Sequence, residues 1–297
     1  MLETFKEFNF RDSTIVLIAE ANEIIREYSR DRLTLTLRQL YYQFVARGLL
    51  PNNQKSYHKL GKTISDARLA GMVDWNAIID RTRNLNRHPS WSDPASIIYS
   101  AARSYALDLW AGQPHRVEVW IEKEALVGVI DRICYDLNVP HFACRGYVSQ
   151  SEQWAAGKRF EEYIQEDQHP VVIHLGDHDP SGIDMTRDID DRLAMFAYRQ
   201  IEVRRIALNM NQVEEYNPPP NPAKLTDTRA GSYISRYGSE SWELDALEPR
   251  IMRDLIKDTA MEYCDEDLFE GRKAQQEEER EKLTSLSENW DEIAKQL

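Results

Sequence analysis

Cysteine is scarce in this chain of 297 residues: Cys134, Cys144 and Cys264 are widely spaced, odd in number and include no CxxC pair. That pattern offers neither a disulfide framework nor a zinc site. No apolar run approaches the roughly 18 to 20 residues that span a bilayer, so no membrane role is expected. The opening stretch MLETFKEFNFRDS is mixed in charge and lacks the apolar core of a signal peptide. A cytoplasmic protein is the expectation. A GxxxxGK[ST] phosphate loop is missing too, which leaves the sequence without an ATPase signature. No internal repeat is evident.

What is present is ordinary globular usage, with 42% hydrophobic and 29% charged residues, enough at this length for two compact units. A net charge of −13 argues against a nucleic-acid partner until its distribution is read. Residues 1–110 hold 15 Lys+Arg against 12 Asp+Glu, and the remainder 22 against 38. Within the first part, Arg38, Arg47, Lys55, Lys59, Lys62 and Arg68 share a stretch with a single acid, Asp66, and Arg81, Arg83, Arg87 and His88 follow. A basic front on an acidic body can track phosphates, although a solvated helical face would show the same charges.

Periodicity divides the chain. Ile18, Ala21, Ile24 and Ile25 recur at helical spacing, as do Leu37, Leu40, Tyr41, Phe44 and Val45 in TLTLRQLYYQFVARGLL, and a third helix is expected over SYHKLGKTISDARLAGMV. Three short helices, the last two basic, fit a winged-helix or helix-turn-helix unit. A further helix is expected over IIYSAARSYALDLW. From Arg116 strands and helices alternate: RVEVWI, VPHFACRG, HPVVIHL and RQIEVRRIAL read as strands separated by helices, the pattern of a parallel α/β sheet. YNPPPNPAK breaks the alternation. WELDALEPRIMRDLIKDTAMEY returns to helix, and the charged segment from Asp265 reads as a solvated or partner-binding helix. The expected units are therefore a helical DNA-binding domain over 1–112, an α/β domain over 113–216, and a Pro-rich linker with a charged helical extension over 217–297.

Ligands of an open parallel sheet bind beyond the carboxyl ends of its strands, and acids stand there. RVEVWI ends in Glu122-Lys123, and VVIHL in Gly176-Asp177-His178-Asp179-Pro180-Ser181-Gly182. Residues two apart in an extended segment point the same way, so Asp177 and Asp179 can share a site. Three hard carboxylates suit magnesium, which keeps water and phosphate for its other positions; manganese could substitute. The bland alternatives are a surface glutamate and a solvated DPSG turn. A calcium EF-hand loop fits poorly, because Pro180 stiffens it, Asp184 replaces an apolar position and a strand precedes it. His58, His88, His174 and His178 lack metal-ligand spacing.

The series Glu122-Lys123, Gly146, then Asp177-x-Asp179-x-x-Gly182 resembles the Toprim domain of topoisomerases and primases. GDHDPSGIDM and Trp242-Glu243-Leu244-Asp245-Ala246-Leu247 are similar to the A subunit of DNA topoisomerase VI and its relative, the meiotic double-strand-break transesterase. The resemblance implies an N-terminal winged-helix-like domain, a Rossmann-like Toprim sheet and a helical extension. It further implies magnesium on Glu122, Asp177 and Asp179, with Glu122 and Lys123 in the chemistry. In that family a nucleophilic tyrosine follows an arginine and an aromatic residue. Arg38-Gln39-Leu40-Tyr41-Tyr42 carries the pattern, making Tyr42 the nucleophile, Arg38 its helper and Tyr41 a core residue. DNA contacts would come from Arg47, Lys55, Lys59, Lys62, Arg68, Arg81 and Arg83. Family members cut as dimers, with the tyrosine of one subunit meeting the metal site of the other, which implies a homodimer here, and strand passage would require a separate ATPase subunit. The alternatives are a Toprim nuclease that hydrolyses DNA or RNA with water, and a DNA-binding or assembly protein that does not cut.

Overall fold

The computed structural model describes residues 2–30, 33–79, 88–224 and 226–295. The front unit follows from its apolar spacing. Helices α1 (Asp12–Arg30), α2 (Leu37–Ala46) and α3 (Gln54–Leu69) bury Ile18, Ala21, Leu40, Phe44, Leu60 and Ile64 in one core. At the start of α2, Thr36 and Gln39 exchange side-chain and backbone hydrogen bonds, satisfying two N–H groups that the first turn leaves open. The helix is therefore shorter at its front than its periodicity predicts, and Leu35 instead forms a parallel bridge to Ile78.

Helix α4 (Pro94–Ser104) opens on an Asp93–Ser96 capping box with Pro94 in its first turn. Beyond it the period changes to that of strands. β1 (His115–Ile121), β2 (His141–Ala143), β3 (His169–Leu175) and β4 (Glu202–Ala207) form a four-stranded parallel sheet in the order β2-β1-β3-β4. Alternate residues bury on opposite faces. Val117, Val119, Ile121, Ile173 and Leu175 pack with α5 (Val127–Asp136). Trp120 and Val172 pack beneath α6 (Gln150–Gln165) and α7 (Pro180–Phe196). The protein is thus α/β, with helices flanking a parallel sheet, and among the described residues no helix is long and apolar enough to cross a membrane. The chain leaves β1 toward β2 on one side and returns to β3 on the other. The carboxyl ends of β1 and β3 consequently flank the crevice where the strand order reverses.

After α8 (Met210–Tyr216) the Pro-rich stretch does more than break the pattern. Its β5 (Asn221–Pro222) pairs antiparallel with β6 (Glu240–Ser241) on the far side of α9 (Ala230–Tyr237). The helix expected from Trp242 starts late: Trp242 and Glu243 are not helical, Leu244–Ala246 make one 3-10 turn, and α10 (Pro249–Glu262) begins at a proline. Trp242, Leu244, Leu247, Met252 and Ile256 lie in the same core as β1 and β3, so that core runs across the boundary expected at residue 216. Helix α11 (Glu266–Glu288) packs along α4, and a short α12 (Trp290–Ile293) follows.

Candidate functional site

Glu122 leaves β1 at the crevice. Its N–H donates to Leu175 O at 2.8 Å, extending the ladder by one residue, and its Oε2 accepts the Asp177 N–H at 2.7 Å. Burial, and then the Asp177 charge beside it, push the Glu122 carboxyl up to about 7. Asp177 is itself buried. Its Oδ1 accepts the Leu244 N–H at 2.8 Å and its Oδ2 lies 2.9 Å from Lys123 Nζ. Burial raises the Asp177 pKa despite the pull of that ammonium.

Lys123 binds more acids than the sequence foretold. Its Nζ lies 2.7 Å from Asp245 Oδ2, 2.9 Å from Asp177 Oδ2 and 3.1 Å from Glu243 Oε2. Burial works against the ammonium charge, yet the three carboxylates hold its pKa well above the ordinary lysine value. Glu243 and Asp245, expected within one helix, reach Lys123 from an extended residue and the 3-10 turn after it, which follow the Trp242 bridge to His178.

Asp179 serves a different purpose from Asp177. It caps α7, its Oδ1 accepting from Gly182 N at 2.6 Å and from the Ser181 hydroxyl at 2.9 Å. The strand itself ends at Leu175, so Asp177 and Asp179 stand in the loop beyond it, and the charges of both act on Glu122. Gly182 is required by contact, since a Cβ there would stand 2.2 Å from the Asp177 carbonyl oxygen. His178 is buried against Tyr233, Tyr237 and Trp242, and its Nδ1 lies 2.8 Å from the Tyr233 hydroxyl. It is a packing residue.

Arg205 was invisible in the sequence, where it reads as a polar residue of the strand RQIEVRRIAL. Its guanidinium lies beneath the acidic loop and donates to the carbonyls of Asp177 (2.7 Å), Gly176 (2.9 Å), Gly182 (2.9 Å) and Leu208 (3.1 Å), and to the Thr186 hydroxyl (3.0 Å). Burial lowers its pKa to about 10. One half-buried cation thus gathers the carbonyls of both ends of the acidic loop.

The front unit meets this cluster directly. Arg38 Nη1 lies 2.8 Å from Glu243 Oε2, the oxygen that also meets Lys123. Tyr42, expected as the nucleophile, is buried, as is Tyr41, expected in the core. The Tyr41 hydroxyl is held by the backbone of Asn53, whereas the Tyr42 phenol faces Glu243 and the Asn221 side chain. Burial and then the Glu243 charge push that phenol well above its ordinary pKa. Although burial disfavours its charge, Lys123 and Arg38 hold Glu243 below the usual carboxylate range. The β5–β6 pairing brings Asn221 here, a contact no local pattern announces.

Two cavities open on the cluster. One of about 770 Å³ is lined by Arg38, Arg68, Glu122, Lys123, Arg145 and Asp245. Another of about 450 Å³ is lined by Arg38, Tyr42, Asn52, His58 and Asn221. The expected DNA-contacting residues divide. Lys55 and Lys59 stand exposed on α3, while Lys62 pairs with Asp66 at 2.7 Å and Arg47 with Glu27 at 2.6 Å. Arg68 donates to the carbonyls of Trp75 and Ile78 and stacks over the Trp75 ring, which makes it first a brace for that loop. Arg81 and Arg83 lie outside the described residues.

Among the described residues no group of three or more His, Cys, Asp or Glu side chains is arranged to hold a metal ion. The chemistry of the donors nevertheless suits a hard divalent cation. Glu122 and Asp177 are adjacent buried carboxylates with raised pKa values. Asp177 has both oxygens engaged by protein donors. Glu122 Oε1 and Asp179 Oδ2 have no hydrogen-bond partner among the described residues. Comparison with protein-family models, with curated proteins and with solved structures returns no match.

Proposed function

We propose that the protein cleaves DNA phosphodiester bonds by transesterification, with Tyr42 as nucleophile and a magnesium ion held at Glu122, Asp177 and Asp179. One observation carries the reading: Glu243 Oε2 joins Arg38, one turn from Tyr42 on α2, to Lys123 beside the acids of the sheet. The tyrosine and the acidic crevice therefore belong to one constellation within a single chain. In the reaction Tyr42 Oη attacks phosphorus and a deoxyribose oxygen leaves, giving a phosphotyrosine that keeps the bond energy for religation. Arg38 and Lys123 offset charge on the phosphate oxygens. Bound magnesium would polarise the phosphate and stabilise the attacking and leaving oxygens. Lys55 and Lys59 on α3 hold the flanking backbone. Because one chain supplies both halves of the chemistry, a homodimer is proposed for cutting two strands rather than for completing the site. Strand passage driven by ATP would call for a separate subunit.

Hydrolysis by water is the second reading, and the burial of Tyr42 with its raised pKa favours it. A single experiment separates the two. End-labelled duplex and supercoiled plasmid are incubated with magnesium or manganese, stopped with SDS, and compared with and without protease for the parent, Tyr42→Phe and Asp177→Ala. The transesterase gives breaks whose ends carry protein, abolished in both variants. Protein-free ends lost only in Asp177→Ala would establish the nuclease instead. DNA binding with no breaks under either metal would make it a binding or assembly protein.

A further inference from the structure

If Tyr42 attacks a phosphodiester, the phosphate must sit beside its hydroxyl and within reach of Arg38 and Lys123. That space is filled. A single carboxylate oxygen, Glu243 Oε2, lies 2.8 Å from Arg38 Nη1 and 3.1 Å from Lys123 Nζ, and the Tyr42 phenol, itself met by the Asn221 side chain, faces the same carboxylate. Two cations on one anionic oxygen, with a phenol beside the same carboxylate, are what a phosphate would take from these residues. Glu243 is no fixture of the core. Its side chain is 30% exposed and that of Arg38 48%, whereas its neighbour Asp245 is buried with a 1% exposed side chain. Asp245 and Asp177 would keep Lys123 in place if Glu243 withdrew.

We infer that Arg38, Lys123 and Tyr42 form an oxyanion seat for a phosphodiester, and that Glu243 occupies it in the free protein as an internal stand-in that the substrate displaces. The inference rests on the transesterase reading for its substrate but on the ion pairs alone for the seat. It gives the WELDAL segment two distinct tasks. Asp245 anchors the lysine, and Glu243 guards the seat so that weak anions do not fill it. Exchange of one anion for another leaves the cations paired throughout, which avoids exposing an uncompensated charge in a half-buried site.

The test measures binding without cleavage, in metal-free buffer at low salt. Inorganic phosphate is titrated by calorimetry and a short labelled duplex by fluorescence anisotropy. Both are applied to the full-length parent, Glu243→Gln, Glu243→Ala and Arg38→Gln,Glu243→Gln, with Glu240→Gln as a control. Glu240 is exposed three residues away, so its substitution removes the same charge outside the seat. Releasing two partly exposed ion pairs should tighten phosphate binding by roughly five- to thirty-fold in both single Glu243 variants. The gain should vanish when Arg38 is also replaced, and Glu240→Gln should not reproduce it. Unchanged or weaker phosphate binding in Glu243→Gln and Glu243→Ala, or an equal gain from Glu240→Gln, would overturn the seat even if the parent cuts DNA. A phosphate gain without duplex binding would leave the seat standing and remove DNA as its substrate.

Discussion

Gly182 shows how much of the candidate site hangs on one missing atom. Asp179 can cap α7 only if the Gly182 N–H comes close, and that approach brings the Gly182 Cα against the Asp177 carbonyl. A methyl group 2.2 Å from that oxygen must push the loop away, undoing the bonds Arg205 makes to the Asp177 and Gly182 carbonyls. Gly182→Ala should cost about 1–3 kcal/mol, read as a lower urea midpoint, and should abolish nuclease or transesterase activity. Parent-like stability would mean the loop has room to shift. The residues at this scale were unequally legible. Glu122, Asp177 and Gly182 stand out because strand ends and turns mark them in the chain. Arg205 does not, since a half-buried arginine and an exposed one look alike in an alternating strand. Glu243 and Asp245 were in view as a motif, but the apolar period of the following helix ran back over them and hid the extended residue and 3-10 turn that carry them.

Elements were easier to read than their ends. HPVVIHL is apolar on both faces, and the strand covers it whole. The helix over 12–30 follows its period, whereas the third, expected to run through Val73, stops at Leu69 ahead of Gly71 with its positive φ, and α2 and α10 begin late because a capping box and a proline decide the boundary. The charged segment after Asp265, read as a solvated or partner-binding helix, docks along α4 of its own chain. Phe269 is buried edge-on against Trp110 at 6.3 Å, while Gln276 accepts the Leu107 N–H and Arg280 donates to the Tyr105 carbonyl. An amphipathic period could not announce this, since only Phe269 and Gln276 are buried along α11. Phe269→Ala should destabilise the protein by about 3–5 kcal/mol, measured by urea unfolding. A loss below about 1 kcal/mol would show that α11 is held by its polar contacts instead.

For the molecule as a whole, the buried histidines set the acid limit. His174 is completely enclosed, its Nδ1 paired with the Thr186 hydroxyl, and burial followed by the Arg205 charge brings its pKa down to about 3. Burial likewise brings His178 to about 4. A depressed folded-state value means the unfolded chain takes up the proton first. The stabilisation is complete above the ordinary value of 6.5 and is lost as pH falls toward those values. Glu122, pushed up to about 7, acts with the opposite sign: its buried charge costs stability above that pH, and the cost fades on acidification. Asp177, also raised by burial, acts with Glu122, but the two histidines, displaced from 6.5 to about 3 and about 4, should prevail below about pH 6. Urea midpoints should therefore drop between pH 6 and 4, and His174→Phe should flatten the drop. An identical slope in that variant would move the acid limit elsewhere.

The embrace of α4 by α11 has a bearing on how the chain comes into being. Tyr105 meets Glu279 and Arg280, partners 174 and 175 positions further on. At roughly 5–20 residues per second, a ribosome needs about 10–35 s to travel that distance. For that interval α4 is out of the tunnel with its half-covered Ile98 and Tyr105 awaiting a neighbour, while the three front helices, whose contacts are close in sequence, can already close on their own core. Through that window α4 waits for its clasp, and it is there that a holdase would find something to grip.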